Sequence, residues 1–353
     1  MVEGTLLIRA DASVQMGTGH VMRCFALAQA WQDSGGRAVF AMVQPLPSMR
    51  QRLLAEGMEV VPIEAEPGTC DDARRVSELA NQCGAAWVVV DGYCFDAVYQ
   101  RELKIAELQV LFVDDNAHSD HYAADLVLNQ NANADESLYP NREPYTRLLL
   151  GSRYVMLRRE FEPWRKWKRE IPVLGHKILI TMGGSDPDNI TLLAIKALAE
   201  VGIQGLEAVV VVGGSNPHLR SLEGAVGVCG RLVRLQRNAT NMPELMAWAD
   251  LALIAAGGTL WELLFMGCSV LSYARNPVQG AIISELGWQG VVRDLGNAQN
   301  FDPALLGAAV MELAESPESR RRMLVSGHER VDGRGAGRIC ELLITHETHN
   351  LPR

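Results

Sequence analysis

The sequence predicts an α/β protein of two domains, each a parallel sheet covered by helices. Short apolar runs alternate with patterns of helical spacing along most of the chain, as in sheets whose strands are buried on both faces. Several of these runs end in paired or near-paired glycines where a helix begins, the usual form of a strand-to-helix crossover. At 353 residues the chain is long enough for two full cores.

Residues 5 to 20, TLLIRADASVQMGTGH, open the first domain as a buried strand, a glycine-loosened turn and a helix start. Leu6, Leu7 and Ile8 form the apolar run, and Arg9 and Asp11 end it with charge. Gly17-Thr18-Gly19 lets the backbone turn tightly and approach a ligand. The helix HVMRCFALAQAW turns Val21, Phe25, Ala28 and Trp31 toward a sheet. His20 falls in its first turn, where free N–H groups and the dipole disfavour a proton on the ring. A neutral imidazole there can take a proton from water. The competing reading is a surface or capping histidine; Asp11, Gly17, Gly19 and Arg23 around it favour the first. The loop is no dinucleotide fingerprint, because Met22 stands where the third glycine would be.

A net charge of −9 argues against a general nucleic-acid binder, which needs a basic surface. Seven scattered cysteines point to reduced thiols and a cytoplasmic location. No signal peptide or membrane span is expected, because no apolar run approaches the roughly 20 residues a bilayer requires.

Further strands are expected at RAVFAMV, MEVVPI, AWVVVDGY, QVLFVDD and DLVLNQN, with helices at SMRQRLLAEG and DDARRVSELANQCG. The strand ends carry Asp91 and Tyr93, Asp114 and Asp115, and Asn129 and Asn131, on the same rim as His20. His118 and His121 lie among Asp114, Asp115 and Asp120, so a zinc or manganese site competes there with an ordinary polar loop, which is favoured. The basic, tryptophan-bearing stretch RREFEPWRKWKRE marks the boundary. It reads as linker or packing rather than a membrane-resting segment. The expected division is 1–157, a linker at 158–175, and 176–353 with a helical tail.

The second half repeats one device three times. KILITMGGSDPDN, AVVVVGGSNPHL and LALIAAGGTLWE each run a strand into Gly-Gly-Ser/Thr. Freed N–H groups and helix N-termini there can hold a diphosphate without lysine. Gly183, Gly184, Ser185, Gly257, Gly258 and Thr259 are the candidates, with the hydroxyls as plain N-caps the alternative. Glu262, three residues after Thr259, reads either as a capping-box partner or as an acceptor for ribose hydroxyls. Asn189 stands in a similar position after the first glycine pair. The HETH sequence at 346–349 lacks metal-site spacing and is assigned no chemistry.

Arg9-Ala10-Asp11 with Gln15-Met16-Gly17-Thr18-Gly19-His20, Asp91-Gly92-Tyr93, Asp114-Asp115, Asp125 to Asn129, Met182 to Asp186, Asn241 to Asp250 and Gly257-Gly258-Thr259-Leu260-Trp261-Glu262 together resemble the UDP-2,4-diacetamido-2,4,6-trideoxy-β-L-altropyranose hydrolases of pseudaminic-acid synthesis. That family is similar in fold to MurG-type glycosyltransferases, which implies a GT-B-like arrangement, two Rossmann-like domains with parallel sheets facing across a cleft. The resemblance puts the general base on His20, a tyrosine beside the sugar on Tyr93, and nucleotide contacts on Asn189 and Glu262. It leaves Asp11 either orienting His20 or holding a sugar hydroxyl. The family's Asn-Gln pair reads Asn276-Pro277 here, and Gln279 would take over the missing amide.

The resemblance implies metal-independent hydrolysis at the anomeric carbon with inversion and no cofactor. The partner is then a small UDP-sugar, with at most weak contact with other enzymes of the pathway. A glycosyltransferase on the same fold and a non-catalytic UDP-sugar binder are the alternatives.

Overall fold

The computed structural model describes residues 4–13, 16–229 and 233–349. The chain divides into two compact units, the first comprising Met1–Arg159 with Gly333–Arg353 and the second Glu160–Asp332. The division falls inside the 158–175 segment.

The first unit holds a seven-stranded parallel sheet of order β3-β2-β1-β4-β5-β6-β7. Its strands are β1 (Thr5–Ala10), β2 (Arg37–Met42), β3 (Glu59–Pro62), β4 (Ala85–Asp91), β5 (Val110–Val113), β6 (Leu126–Asn129) and β7 (Arg147–Leu150). Five of the six strands after β1 match sequence expectations. β7 was not expected, because its four residues RLLL carry no alternation, although Gly151 follows them. Helix α1 (Gly19–Asp33) lies after β1, and Val21, Phe25, Ala28 and Trp31 are all buried as its spacing predicts. α2 (Pro47–Ala55), α3 (Cys70–Cys83) and α4 (Ala97–Ile105) complete the crossovers. α3 is capped at both ends, by Thr69 Oγ1 accepting from Asp72 N and by Gly84 at φ +60.

The second unit has a six-stranded parallel sheet of order β10-β9-β8-β11-β12-β13. Its strands are β8 (Lys177–Thr181), β9 (Glu207–Val212), β10 (Val233–Arg237), β11 (Leu251–Ala255), β12 (Ser269–Ala274) and β13 (Arg293–Asn297). The helices are α5 (Ile190–Ala199), α6 (Leu219–Cys229), α7 (Met242–Trp248), α8 (Gly258–Phe265), α9 (Pro277–Trp288), α10 (Pro303–Glu315) and α11 (Pro317–Arg330). From Glu160 onward the basic stretch belongs to this unit, while Arg159 bonds Gln29, Asp33 and Glu56 of the first. Trp164 and Trp167 meet edge to face at 5.3 Å, and Arg169 lies 5.1 Å over Trp167 while donating to the carbonyls of Met246, Ala249 and Met266. Those carbonyls end α7 and α8, so one guanidinium caps two helices.

The helical tail departs from expectation. α12 (Gly335–His349) belongs to the first unit, where Ala336, Ile339, Cys340 and Leu343 join the core beside α1. Trp87 Nε1 donates to Leu343 O at 3.1 Å. Gly335 permits the approach, since a Cβ there would stand 2.1 Å from Val155 O. An amphipathic helix shows which face it buries but not which sheet it seeks. Among the described residues no helix is long and apolar enough to cross a membrane.

Candidate active site

In each sheet the strand order reverses beside the first strand, between β1 and β4 and between β8 and β11. Open α/β sheets bind ligands outside the carboxyl ends of the strands at such a switch point. The residues singled out in the sequence gather at these two places.

In the first unit, Gly17 needs its φ of +82, and the N-cap of α1, Thr18, makes no side-chain hydrogen bond to the helix. The first turn therefore keeps free N–H groups, with His20 in it. His20 is buried, and its Nδ1 lies 2.6 Å from Asp91 Oδ1 at the end of β4. A carboxylate can only accept, so Nδ1 carries the hydrogen and Nε2 of a neutral ring holds the lone pair. Among the described residues Nε2 has no hydrogen-bond partner. Tyr93 crosses the His20 ring edge to face at 4.7 Å and stays half exposed.

Arg23, one turn along α1, donates to Asp91 through Nε at 2.5 Å and Nη2 at 2.6 Å, and to Asp115 Oδ2 through Nη1 at 2.5 Å. Burial of Asp91 works against its charge, but Arg23 and His20 outweigh it and hold the carboxyl well below the usual carboxylate range. Arg23 remains charged because Asp91 and Asp115 more than offset its own burial. Burial, then the Asp115 carboxylate, pushes the Tyr93 phenol up to about 12. At neutral pH Tyr93 is thus a donor, and its hydroxyl donates to Asp115 Oδ1 at 3.3 Å.

Asp11 is not part of this cluster. It accepts from Arg9 Nη1 at 2.6 Å and from Val43 N at 2.7 Å, tying the end of β1 to the segment after β2. Arg9 is fully buried and doubly bonded to Asp72. The orienting carboxylate is Asp91, 71 positions from His20 and brought beside it by the β1–β4 pairing. The sequence marked Asp91 as a polar strand end; only the sheet order shows which imidazole it faces. Gly19 starts α1 with open space around it. Gln15 of the sequence motif lies outside the described residues.

The His118 segment is held as a structural loop. His118 Nδ1 lies 2.9 Å from Asp114 Oδ1 and its Nε2 donates to Phe95 O at 2.9 Å, while His121 Nε2 bonds Glu143 at 3.0 Å. The two rings therefore serve different partners. No group of three or more His, Cys, Asp and Glu is gathered for a metal among the described residues.

In the second unit, the loops after β8 and β9 touch. A Cβ on Gly213 would stand 2.4 Å from Gly184 O, so only glycine allows the approach. Gly183 takes φ +85, and Asp186 and Asn189 also adopt positive φ, a strained path for non-glycine residues. Asp186 supports it by accepting from Ile190 N, Thr191 N and Thr191 Oγ1 at the start of α5. Neither Ser185 nor Thr259 is an N-cap: Asn189 precedes α5 and Gly257 precedes α8, both without a side-chain cap. Gly257 and Gly258 are exposed with nothing near a prospective Cβ, leaving the α8 N-terminus open. Asn189 Nδ2 donates to Ser221 Oγ at 3.4 Å, and its buried Oδ1 has no protein partner. Glu262 lies in α8, one turn from Gly258, and is half-buried.

Asn276 and Gln279 are employed differently from expectation. Asn276 Oδ1 accepts from Gln279 N at 2.9 Å, and Gln279 Oε1 accepts from Arg275 N at 2.9 Å. Asn276 caps α9 and Gln279 reaches back beyond the cap, a reciprocal arrangement akin to a capping box. Pro277 supplies the first residue of the helix.

Comparison with known proteins agrees with this architecture. The chain is 24% identical over 275 residues to the UDP-2,4-diacetamido-2,4,6-trideoxy-β-L-altropyranose hydrolase of Campylobacter jejuni, covering 77% of this chain and 92% of that one. In sequence the two are related. The chain is also 25% identical over 238 residues to the spore coat polysaccharide biosynthesis protein SpsG of Bacillus subtilis, covering 66% of this chain and 68% of SpsG. It is 24% identical over 280 residues to the uncharacterized protein MJ1062 of Methanocaldococcus jannaschii, covering 78% of this chain but only 56% of that longer protein. No family model matches.

Among solved structures, a putative UDP-N-acetylglucosamine 2-epimerase from Listeria monocytogenes superposes with a TM-score of 0.71 at 14% identity, covering 99% of this chain and 98% of that one. MurG of Acinetobacter baumannii gives 0.66 at 16%, covering 97% and 99%. The Anabaena protein HepE, in complex with UDP and glucose, gives 0.62 at 16%, covering 97% and 100%. The fold is therefore GT-B-like, with two parallel-sheet Rossmann-like units.

Proposed function

We propose that this protein hydrolyses a UDP-linked 2,4-diacetamido-2,4,6-trideoxy sugar at its anomeric C–O bond, releasing UDP and the free sugar. The observation that carries the reading is the Asp91–His20 pair at the switch point of the first sheet. Nε2 of His20 has no hydrogen-bond partner among the described residues, and the ring's other nitrogen is anchored by a carboxylate held well below the usual range. The relationship to the Campylobacter jejuni hydrolase supports the substrate class.

In this reading Nε2 of His20 removes a proton from water as it attacks the anomeric carbon. Asp91 then stabilises the imidazolium that forms. Attack opposite the departing diphosphate inverts the configuration. Tyr93, kept neutral, offers its ring edge and hydroxyl to the sugar. The glycine loops of the second unit hold the diphosphate on backbone N–H groups and on the helix starts at α5 and α8. In this reading Asn189 Oδ1, buried without a partner among the described residues, accepts from a donor on the nucleotide, and Glu262 accepts from the ribose hydroxyls. UDP departs as a stable anion, so no general acid is required, and neither a metal nor a cofactor enters the scheme.

His20→Asn should bind UDP normally and lose turnover by roughly 10² to 10⁴-fold. Hydrolysis in ¹⁸O-labelled water should place the label on the sugar. Label on UDP phosphate, or turnover by His20→Asn near the wild-type rate, would discard the assignment. A second reading, a glycosyltransferase, draws on the fold shared with MurG. UDP release strictly dependent on an added acceptor would select it.

A further inference from the structure

We propose that Arg275 is the side-chain cation that holds the diphosphate in the second unit, an inference that rests on the nucleotide-sugar reading above. The Gly-Gly-Ser/Thr loops at 183–185, 213–215 and 257–259 contain no lysine or arginine. Left to backbone N–H groups alone, they would have to balance the charge of two phosphates.

Arg275 stands immediately after β12. In the parallel register Ala255 of β11 pairs with Tyr273, and Ile254 of β11 pairs with Thr181 of β8. Two residues beyond the Ala255–Tyr273 pair, Arg275 is level with Gly257. Gly184, three residues past Thr181, comes level with the same point. The guanidinium reaches back across this rim, for Nη1 donates to Met182 O at 3.4 Å and lies 3.8 Å from where a Cβ on Gly183 would be. The cation thus hangs over the Gly183–Gly184 pair while its own Cα is level with Gly257.

The hydrogen bonding of this arginine differs from that of Arg9 in β1. Arg9 is paired with two carboxylates. Among the described residues Arg275 has no carboxylate partner, and its guanidinium makes only the single long bond to Met182 O. The nearby Asp186 carboxylate is fully engaged at the start of α5 and does not compete. The Arg275 backbone is fixed by Gln279 Oε1, which explains why that amide is not available elsewhere. A half-buried guanidinium on an anchored backbone, with donors to spare beside open glycine loops, fits a planar, bidentate phosphate contact.

The test is calorimetric binding of UDP, UMP and uridine to the full chain and to Arg275→Gln and Arg275→Lys, each checked for an unchanged melting curve. The expected result is that Arg275→Gln binds UDP about 10- to 100-fold more weakly with uridine affinity unchanged. Arg275→Lys, which keeps the charge but not the fork, should fall between. UDP affinity of Arg275→Gln within twofold of wild type would overturn the inference and leave the proposed function standing. Equal loss for UDP and uridine would also overturn it, by showing a loop-supporting role. If the wild-type protein binds no UDP at millimolar concentration, the proposed function fails and this inference with it.

Discussion

Replacing Asp91 by asparagine isolates the contribution of one charge to the base. Asp91 accepts from four donors: His20 Nδ1 at 2.6 Å, Arg23 Nε and Nη2 at 2.5 and 2.6 Å, and Cys24 Sγ at 3.3 Å. An amide has a single acceptor oxygen, so its NH₂ must face one side of this ring of donors. Facing His20, it donates to Nδ1 and drives the ring hydrogen to Nε2, which removes the base. Facing Arg23, it leaves the tautomer intact but supplies no charge to stabilise the imidazolium. A hydrogen bond to a charged group contributes about 1.5–3 kcal/mol, so even the favourable orientation should slow turnover about 10-fold or more. The unfavourable one should approach the full general-base contribution, up to roughly 10⁴-fold. Single-turnover UDP release measures the loss, while UDP affinity should hold because the glycine loops are untouched. His20→Asn/Asp91→Asn should be no slower than His20→Asn alone, since the two act as one device. A folded Asp91→Asn protein with turnover within threefold of wild type, or losses that multiply in the double variant, would refute the reasoning.

The glycine loops give a second comparison. Gly213→Ala forces a methyl onto Gly184 O at 2.4 Å and should cost roughly 1–3 kcal/mol in thermal unfolding and weaken UDP binding, whereas Gly257→Ala, in extended backbone with open space, should melt like wild type. The reverse order of melting temperatures would contradict the packing described. The Asp114–His118 pair sets a pH window. Burial opposes both charges, but His118, then Tyr122, lowers Asp114 below 3.8, and Asp114, then Phe95 O, raises His118 above 6.5. The Asp114 contribution is present above 3.8 and lost as pH falls below it, whereas the His118 contribution is full below 6.5 and lost as pH rises through the folded value. The melting-temperature gap between wild type and His118→Gln should therefore be widest between about pH 4 and 6.5 and shrink as pH rises through the raised folded value of His118. A gap that widens at alkaline pH would show that the ring is held neutral.

The sequence made the strand-to-helix corners readable because glycine leaves few alternatives there. Gly17 before His20 and the three paired glycines of the second half mark strand ends that the structure confirms. Relations set by topology were not readable. Asp11 lies nine residues from His20 and was read as either orienting it or holding a sugar hydroxyl, yet a parallel sheet puts Asp91 beside His20 from the end of β4. Asn276 and Gln279 had the residue types of sugar contacts, but three-residue spacing across a helix start is also the spacing of a mutual cap, and the cap is what forms. Arg275 passed unnoticed because a single arginine after a strand carries no pattern. β7 was missed because three leucines after an arginine carry too little period to separate strand from loop.

The return of α12 to the first unit makes that unit discontinuous, with the whole of 160–332 threaded between its parts. A ribosome must therefore finish the second unit before it can deliver the helix that covers Trp87 and α1. Until then the nascent first unit exposes the groove that Ile339 and Leu343 later fill. The second unit, by contrast, is one uninterrupted segment able to mature on its own schedule, so the unit bearing His20 should be the last to gain its protection against proteolysis during synthesis.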